Sequence, residues 1–395
     1  MEKLFAVSAP GLEPYTAGEL RQLGLLPADE ETTPPSKHKK KKPADKYSGG
    51  VAFSGDLEGI YQANLSLRTA NRVLVRLGEF NAAAFSELRK KAGRLVWERY
   101  LAPGQPVALR VTCRQSRLYH SKAVAERVAG AIGDRLGQPP PVVKFDEQGK
   151  NQLPQLIIVR LLRDRCTISL DTSGSLLHRR GYRLETAKAP LRETLAAGML
   201  HASGWDLTSP LLDPFCGSGT IPIEAALMAA GVPPGVGRRF SFMDWHNFDP
   251  QLWEGLLKKS GNQTRGQMPS IIASDRDAGA IRIALANAER AGVADSIEFS
   301  QRAVSAIDPP RTGDTGTGWV VTNPPYGLRV SKKKDLRNLY AQFGKVLGAK
   351  CPGWQIAFLC NDLRLIHNTR LRLDTSLTLD NGGVAVKLAC GQVDL

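Results

Sequence analysis

Apolar positions along this chain follow two rhythms. Alternation with a period of two runs through "PVALRVTCR" (106–114) and "QLIIVRLLRDRCTISLDTSG" (155–174), predicting strands. The second run folds back on itself at a tight turn near Arg163-Asp164. Helical spacing runs through "AFSELRKKAGRLVWERYL" (84–101) and "HSKAVAERVAGAIGDRLG" (120–137), with Gly137 as the stop of the latter. Ahead of these, "KLFAVSAPGLEPYTAGELRQLGLL" reads as strand, turn at Pro10-Gly11 and helix, with Leu12, Leu20 and Leu23 sharing an inward face. "GGVAFSGD" is a further strand, and "LEGIYQANLSLRTANRVLVRL" a helix running into another, which closes a small α/β unit near residue 80.

From residue 186 the pattern becomes a regular alternation. Helix "PLRETLAAGMLHASGW" precedes "PLLDPFCGSGT", an apolar strand that breaks into a Gly-rich loop, and the helix "IPIEAALMAAG". "SIIASDRD" is a strand with an acidic end, followed by the helix "AGAIRIALANAERAGV". A strand at 318–322, the helix "DLRNLYAQFGKVLGAK" and the strand "WQIAFLCN" continue the series. Strands alternating with helices predict a parallel, doubly wound α/β sheet. Asn381-Gly382-Gly383 signals a hairpin, so the closing strands are expected to be antiparallel.

With 395 residues, 42% of them hydrophobic and 23% charged, two or three domains can bury ordinary cores. No apolar run is long enough to span a bilayer or to resemble a signal peptide. The six cysteines are scattered without a C-x-x-C pair, as expected of reduced thiols in a cytoplasmic chain that binds neither metal nor membrane. The net charge of +15 is uneven: residues 1–185 carry 30 basic and 19 acidic side chains, a net of +11. A basic front half suits a polyanion, either nucleic acid or an anionic surface. Part of the excess is "KHKKKK" (37–42), inside a polar, Pro-containing stretch at 28–46 that reads as a flexible insertion. Arg110, Arg114, Arg117, Lys122, Arg160, Arg163 and Arg165 form either one cationic face or scattered solvated charges.

Two motifs carry chemistry. In "LLDPFCGSGT" (211–220), Gly217 and Gly219 let the backbone turn and approach a ligand, and the helix that follows offers free N–H groups to a carboxylate. No lysine follows as a P-loop requires, and Pro222 stands where a dinucleotide fingerprint wants a third small residue. S-adenosylmethionine (SAM) remains, with Asp275 at the next strand end available to its ribose hydroxyls. Cys216 has no histidine near it in sequence and reads as a small packing residue rather than a nucleophile. The second motif is "TNPPYGLR" (322–329). Its prolines stiffen the corner and remove donors. The Asn323 side-chain oxygen and the Pro324 carbonyl remain as acceptors for both hydrogens of a nucleobase amine, and Tyr326 offers a ring for the base to stack on.

These motifs resemble those of the THUMP-domain RNA guanine-N2 methyltransferases, most closely the bacterial branch acting on 23S ribosomal RNA. "LFAVSAPGLEPYTAGELRQLG" is similar to that family's ferredoxin-like opening, and "RVTCRQSRLYHSKAVAERVAGAIGDRLG" to its THUMP core. "LHRRGYR", "APLRETLAAGML", "DPFCGSGTIPIEAALMAAG", "TNPPYG" and the insertion "RRFSFMDWHNFDPQLW" complete the likeness. The resemblance implies a ferredoxin-like segment over 1–70, a THUMP domain over 71–172, a linker over 173–188 and a Rossmann-like class I methyltransferase domain with a mostly parallel seven-stranded sheet over 189–395. It implies that Asp213, Phe215, Cys216, Gly217, Ser218, Gly219, Thr220, Asp275, Arg276 and Asn323 hold SAM. Asn323, Pro324 and Tyr326 would be catalytic, with Pro325, Tyr326, Arg110, Arg114, Arg117 and Lys122 on the RNA. Two departures stand out: Ala306 where the family has an aspartate after its fourth strand, and Leu328 where it commonly has glutamate. Alternatives are methylation of tRNA guanine N2 or of adenine N6, and an RNA-binding assembly factor whose activity has lapsed.

Overall fold

The computed structural model describes residues 1–27, 49–146, 153–184, 191–261, 267–310, 317–327 and 336–394. The insertion at 28–46, Leu328 and the last residues of the expected linker lie outside them. Among the described residues, no helix is long and apolar enough to cross a membrane.

Two sheets organise the chain. The first contains β1 (Glu2–Ser8), β2 (Gly50–Gly55), β3 (Ala70–Asn81), β4 (Val107–Arg114), β5 (Gln155–Leu162) and β6 (Arg165–Asp171) in the order β2-β1-β3-β6-β5-β4. The twelve-residue β3 is the seam: its first half pairs with β1 and most of its length with β6, so the two expected front units share one sheet. The β5–β6 turn is made by Arg163 and Asp164 at φ 51° and 63°, where the sequence put it. One face, carrying Leu4, Val73, Ile157, Val159 and Ile168, is buried beneath helices α1 (Glu13–Gln22), α2 (Leu57–Ser66), α3 (Phe85–Ala92) and α4 (Ser121–Leu136). The helix expected over 84–101 is shorter. It stops at Gly93, and a 3-10 turn at Trp97–Arg99 swings the Trp97 ring into the core, with Nε1 donating to the Ala92 carbonyl at 2.8 Å.

The second sheet runs β12 (Leu373–Asp374), β14 (Val384–Gln392), β11 (Gln355–Cys360), β10 (Trp319–Thr322), β7 (Leu211–Asp213), β8 (Ile271–Asp275), β9 (Glu298–Gln301), with β13 (Thr378–Asn381) also on β14. β12 and β13 share one edge of β14, so the sheet has seven positions with its outer strand broken in two. Pairings among β9, β8, β7, β10 and β11 are parallel, and those of β14 are antiparallel. Strand order reverses between β7 and β10, the crevice where open α/β sheets bind ligands. The helices are α5 (Glu193–Ala202), α6 (Thr220–Ala229), α7 (Pro250–Gly261), α8 (Ala278–Arg290), α9 (Arg337–Lys350) and α10 (Leu363–Asn368).

The two sheets are tied together in ways the periodicity did not reveal. After α6 the chain leaves the second sheet, and Phe240, Phe242 and Trp253 join the first core. Phe242 stacks on Tyr61 with centroids 4.4 Å apart. In return Leu12, expected to share a face with Leu20 and Leu23, packs into the second core instead. A Cβ on Gly198 would lie 2.4 Å from a Leu12 methyl, so α5 accepts that side chain only because residue 198 is glycine. Beneath lies a buried polar junction. Glu224 accepts from the Tyr182 hydroxyl at 3.0 Å and pairs with Arg180 at 3.5 Å, while Arg180 Nη2 donates to the Arg68 carbonyl at 2.6 Å. The described part of the expected linker is therefore built into the junction.

Candidate active site

The crevice between β7 and β10 opens into a cavity of about 820 Å3. β7 delivers Asp213 to its floor, 1% exposed, with Oδ1 accepting from Thr322 Oγ1 at 2.5 Å and from the Phe215 N–H at 3.1 Å. Burial pushes the Asp213 carboxyl up to about 7; these two hydrogen bonds pull it down, and the charge of Asp275 adds to the rise. The loop beyond β7 is pinned from both sides. Cys216 N–H donates to the Ser274 carbonyl at 3.0 Å, and Asn287 Nδ2 to the Ser218 carbonyl at 3.0 Å. Asp275 closes β8 and holds the Gly217 N–H on Oδ2 at 3.1 Å and the Asp277 N–H on Oδ1 at 3.0 Å. Each oxygen keeps capacity for a further donor, such as a ribose hydroxyl.

The two loop glycines differ. Gly217, at φ 53°, has nothing within 4 Å of a hypothetical Cβ, so a side chain there would enter the cavity. Gly219, at φ 81°, faces away: its Cβ would meet the Ala284 Cβ at 3.0 Å, and it allows close packing of α6 on α8. Gly219 therefore lies outside the lining, contrary to the expectation that it contacts the ligand. Phe215, Cys216, Ser218, Thr220, Asp275 and Arg276 do line the cavity. Cys216 is also buried in the second core, where burial lifts its thiol well above the ordinary value, consistent with a packing role.

The opposite wall is the corner after β10. Asn323, Pro324, Pro325, Tyr326 and Gly327 all line the cavity. Asn323 Oδ1 is buried, with no hydrogen-bond partner among the described residues. A buried carbonyl oxygen left without a donor costs about 1–3 kcal/mol, which makes this atom a candidate acceptor. Tyr340 supports the corner by donating its hydroxyl to the Pro325 carbonyl at 3.3 Å.

The register expected after the fourth strand is corrected. β9 ends at Gln301, and the chain enters the cavity wall at Ala303 and Val304, while Ala306 is exposed and Asp308 reaches out toward Arg302 at 3.8 Å. Ala303, Val304 and, from α8, Ile283 give the lining an apolar stretch there. Sequence reasoning missed these residues, and also Asn361 and Asn381. For Asn381 the signal was present but was read only as a turn. With acidic groups at Asp213 and Asp275, an apolar stretch and the Asn323 candidate acceptor, the lining fits SAM. Among the described residues no three acidic, histidine or cysteine side chains gather as for a metal ion.

The basic residues assort into two places. Arg110 and Arg114 stand on the face of the first sheet opposite its helices, with Arg160 and Arg165 on the neighbouring strands in register. Arg76 joins that face and lies over the Phe5 ring at 4.1 Å. Arg117 and Lys122 sit instead in the loop after β4 and at the start of α4, both exposed at the end where Arg163 turns β5 into β6.

Residues 180–385 match the family described as "RMKL-like, methyltransferase domain". This chain belongs to that family. Its front half matches the "RlmL ferredoxin-like domain" at 44–74 and the "THUMP domain" at 82–171, so the RMKL-like methyltransferase sheet is preceded by these two modules on one shared sheet. The chain spans about half the length of most curated relatives it matches. It is 35% identical to "Ribosomal RNA large subunit methyltransferase K/L" of Syntrophotalea carbinolica over 98% of this chain and 53% of that protein. It is 33% identical to "Putative RNA methyltransferase slr0064" of Synechocystis, over 97% of this chain and 95% of that one. The crystal structure of SMU.472, described as a putative methyltransferase complexed with SAH, superposes with a TM-score of 0.83 at 29% identity, covering 98% and 97% of the two chains.

Proposed function

We propose that this RMKL-like protein transfers the methyl group of SAM to the exocyclic N2 of a guanine in 23S ribosomal RNA. The observation that carries the reading is Asn323 Oδ1, buried at the cavity that fits SAM and without a hydrogen-bond partner among the described residues. An aromatic amine is a poor nucleophile because its lone pair is delocalised into the ring. Asn323 Oδ1 and the Pro324 carbonyl would each accept one amine hydrogen, which turns the lone pair away from the corner and toward the donor side of the cavity. Both acceptors are fixed before reaction, so charge that develops on nitrogen is stabilised without reorganisation. SAM supplies an electrophilic methyl on a sulfonium. The new C–N bond forms as the C–S bond breaks, sulfur keeps the electron pair, and the nitrogen gives up a proton to solvent.

Tyr326 would stack the base, which has to leave its helix to enter so closed a site. The arginine face of the first sheet supplies phosphate affinity without base readout. The names of the relatives support ribosomal RNA as the substrate.

Undermodified RNA from a deletion strain of the source organism, incubated with the full chain and methyl-labelled SAM, tests the reading. Digestion to nucleosides should give N2-methylguanosine; N6-methyladenosine would instead establish the adenine alternative. Asn323→Ala should abolish transfer while calorimetry still detects SAM, and unchanged turnover would remove Asn323 from the mechanism. Absence of SAM binding by the unaltered chain would favour a lapsed assembly factor.

A further inference from the structure

Asn381 is the last residue of β13, paired with Val384, and the turn between them is made by Gly382 and Gly383 alone, at φ 64° and 88°. The hairpin needs positive φ at those two positions only, and glycine meets that need. The side chain of Asn381 is therefore not required by the turn. It reaches the cavity instead, where Nδ2 donates to the Tyr326 hydroxyl at 2.8 Å. Tyr326 packs at its sides against both hydrophobic clusters of the methyltransferase module, and this hydrogen bond is one restraint on its tip.

β13 is itself clamped. A Cβ on Gly11, in the turn after β1, would come within 2.3 Å of the Thr378 carbonyl oxygen and 2.9 Å of a Leu379 methyl. The ferredoxin-like module thus sits directly on the strand that carries Asn381. Such close seating is possible because residue 11 is glycine, here at φ 93°.

We infer that Asn381 is a positioning residue for methyl transfer: its amide fixes the tilt of the Tyr326 ring, and so the angle at which a stacked nucleobase presents its amine. The inference rests on the reading of Tyr326 as the base platform. A tyrosine ring that loses this restraint would hold the base in a wider range of tilts, only some of which aim the amine. The loss falls on kcat rather than on KM for RNA, because the front-half arginines carry most of the RNA affinity.

The test measures methyl transfer to the same undermodified RNA, with SAM affinity followed by calorimetry. Asn381→Ala and Tyr326→Phe remove the same hydrogen bond, so each should lower kcat by up to about tenfold, the worth of one net hydrogen bond. KM for RNA and SAM affinity should stay within about twofold, inside the spread of one weak interaction. The double variant should be no slower than the slower single one. Asn381→Asp, whose carboxylate can accept from the phenol, should recover most of the rate. Normal kcat in Asn381→Ala, or losses that multiply in the double variant, would overturn the inference. Tyr326→Ala separates the two levels. If it is active, the ring has no part in the reaction and the platform reading falls with the inference; if it is inactive while Asn381→Ala is normal, only the inference falls.

Discussion

Asp213→Asn should make the protein more stable and at the same time poorer at binding SAM. The carboxyl is 1% exposed and pushed up to about 7 from its ordinary 3.8, first by burial and then by the charge of Asp275, against the pull of Thr322 and the Phe215 N–H. An acid whose folded value is raised binds its proton more tightly in the folded state than in the unfolded one. Its ionisation therefore costs nothing below about pH 4, erodes stability as pH rises through about 7, and costs a constant amount above that. Three units correspond to roughly 4 kcal/mol at pH 8. Asparagine keeps the oxygen that accepts from Thr322 and Phe215 and removes the charge, so it should recover up to about that amount, less any desolvation of its N–H groups.

The assay is urea unfolding of both proteins at pH 5.5 and pH 8, without ligand. The variant should gain most at pH 8 and least at pH 5.5. SAM titrations at the two pH values should show wild-type affinity rising with pH, as the cationic ligand draws the proton from Asp213, and a weak, pH-flat affinity for the variant. A variant less stable than wild type at pH 8 would refute the reasoning, because the buried carboxylate would then be stabilising the fold rather than straining it.

Other variants separate ligand contact from packing. Gly217→Ala places a methyl in open cavity at φ 53° and should weaken SAM at least tenfold while costing about 1 kcal/mol of stability. Gly219→Ala, pressed on Ala284, should instead cost about 2 kcal/mol or more of stability, read by the urea midpoint. Glu224→Ala removes the buried carboxylate that pairs with Arg180 and accepts from the Tyr182 hydroxyl, and should destabilise by about 3–5 kcal/mol. Arg114→Glu with Arg165→Glu should lower RNA affinity and flatten its dependence on log salt by about one unit per lost phosphate contact, with SAM affinity unchanged.

Much of the cavity lining was legible because its signals are local. "DPFCGSGT" and "TNPPYG" place backbone turns, acceptors and acids within a few residues of strand ends, and a doubly wound sheet brings those ends together whatever else the chain does. The same logic failed where local chemistry allows two answers. Gly217 and Gly219 look equivalent in sequence, and only the approach of Ala284 on α8 makes one a packing glycine. The wall at Ala303-Val304 was misplaced at Ala306 because β9 is a short strand, half exposed, whose end nothing in its own periodicity marks.

The joining of the modules was illegible for a different reason. Its residues carry ordinary patterns and acquire meaning only from partners far along the chain. Leu12 has helical spacing with Leu20, yet Gly198 draws it into the other core; Phe242 belongs by sequence to the methyltransferase half, yet Tyr61 holds it. These contacts run both ways across the boundary, and the buried Glu224–Arg180–Arg68 junction lies between them. Aromatic stacking, leucine-in-glycine packing and buried ion pairs together oppose hinge motion, because a rotation that separates the modules has to break them. The arginine face and the Asn323 corner are therefore held at a fixed offset, and under the proposed function an RNA gripped on the first sheet would have to present its target base at that distance or bend to reach it. On that reading, selection of the methylated nucleotide would follow from RNA shape as much as from contacts to the base itself.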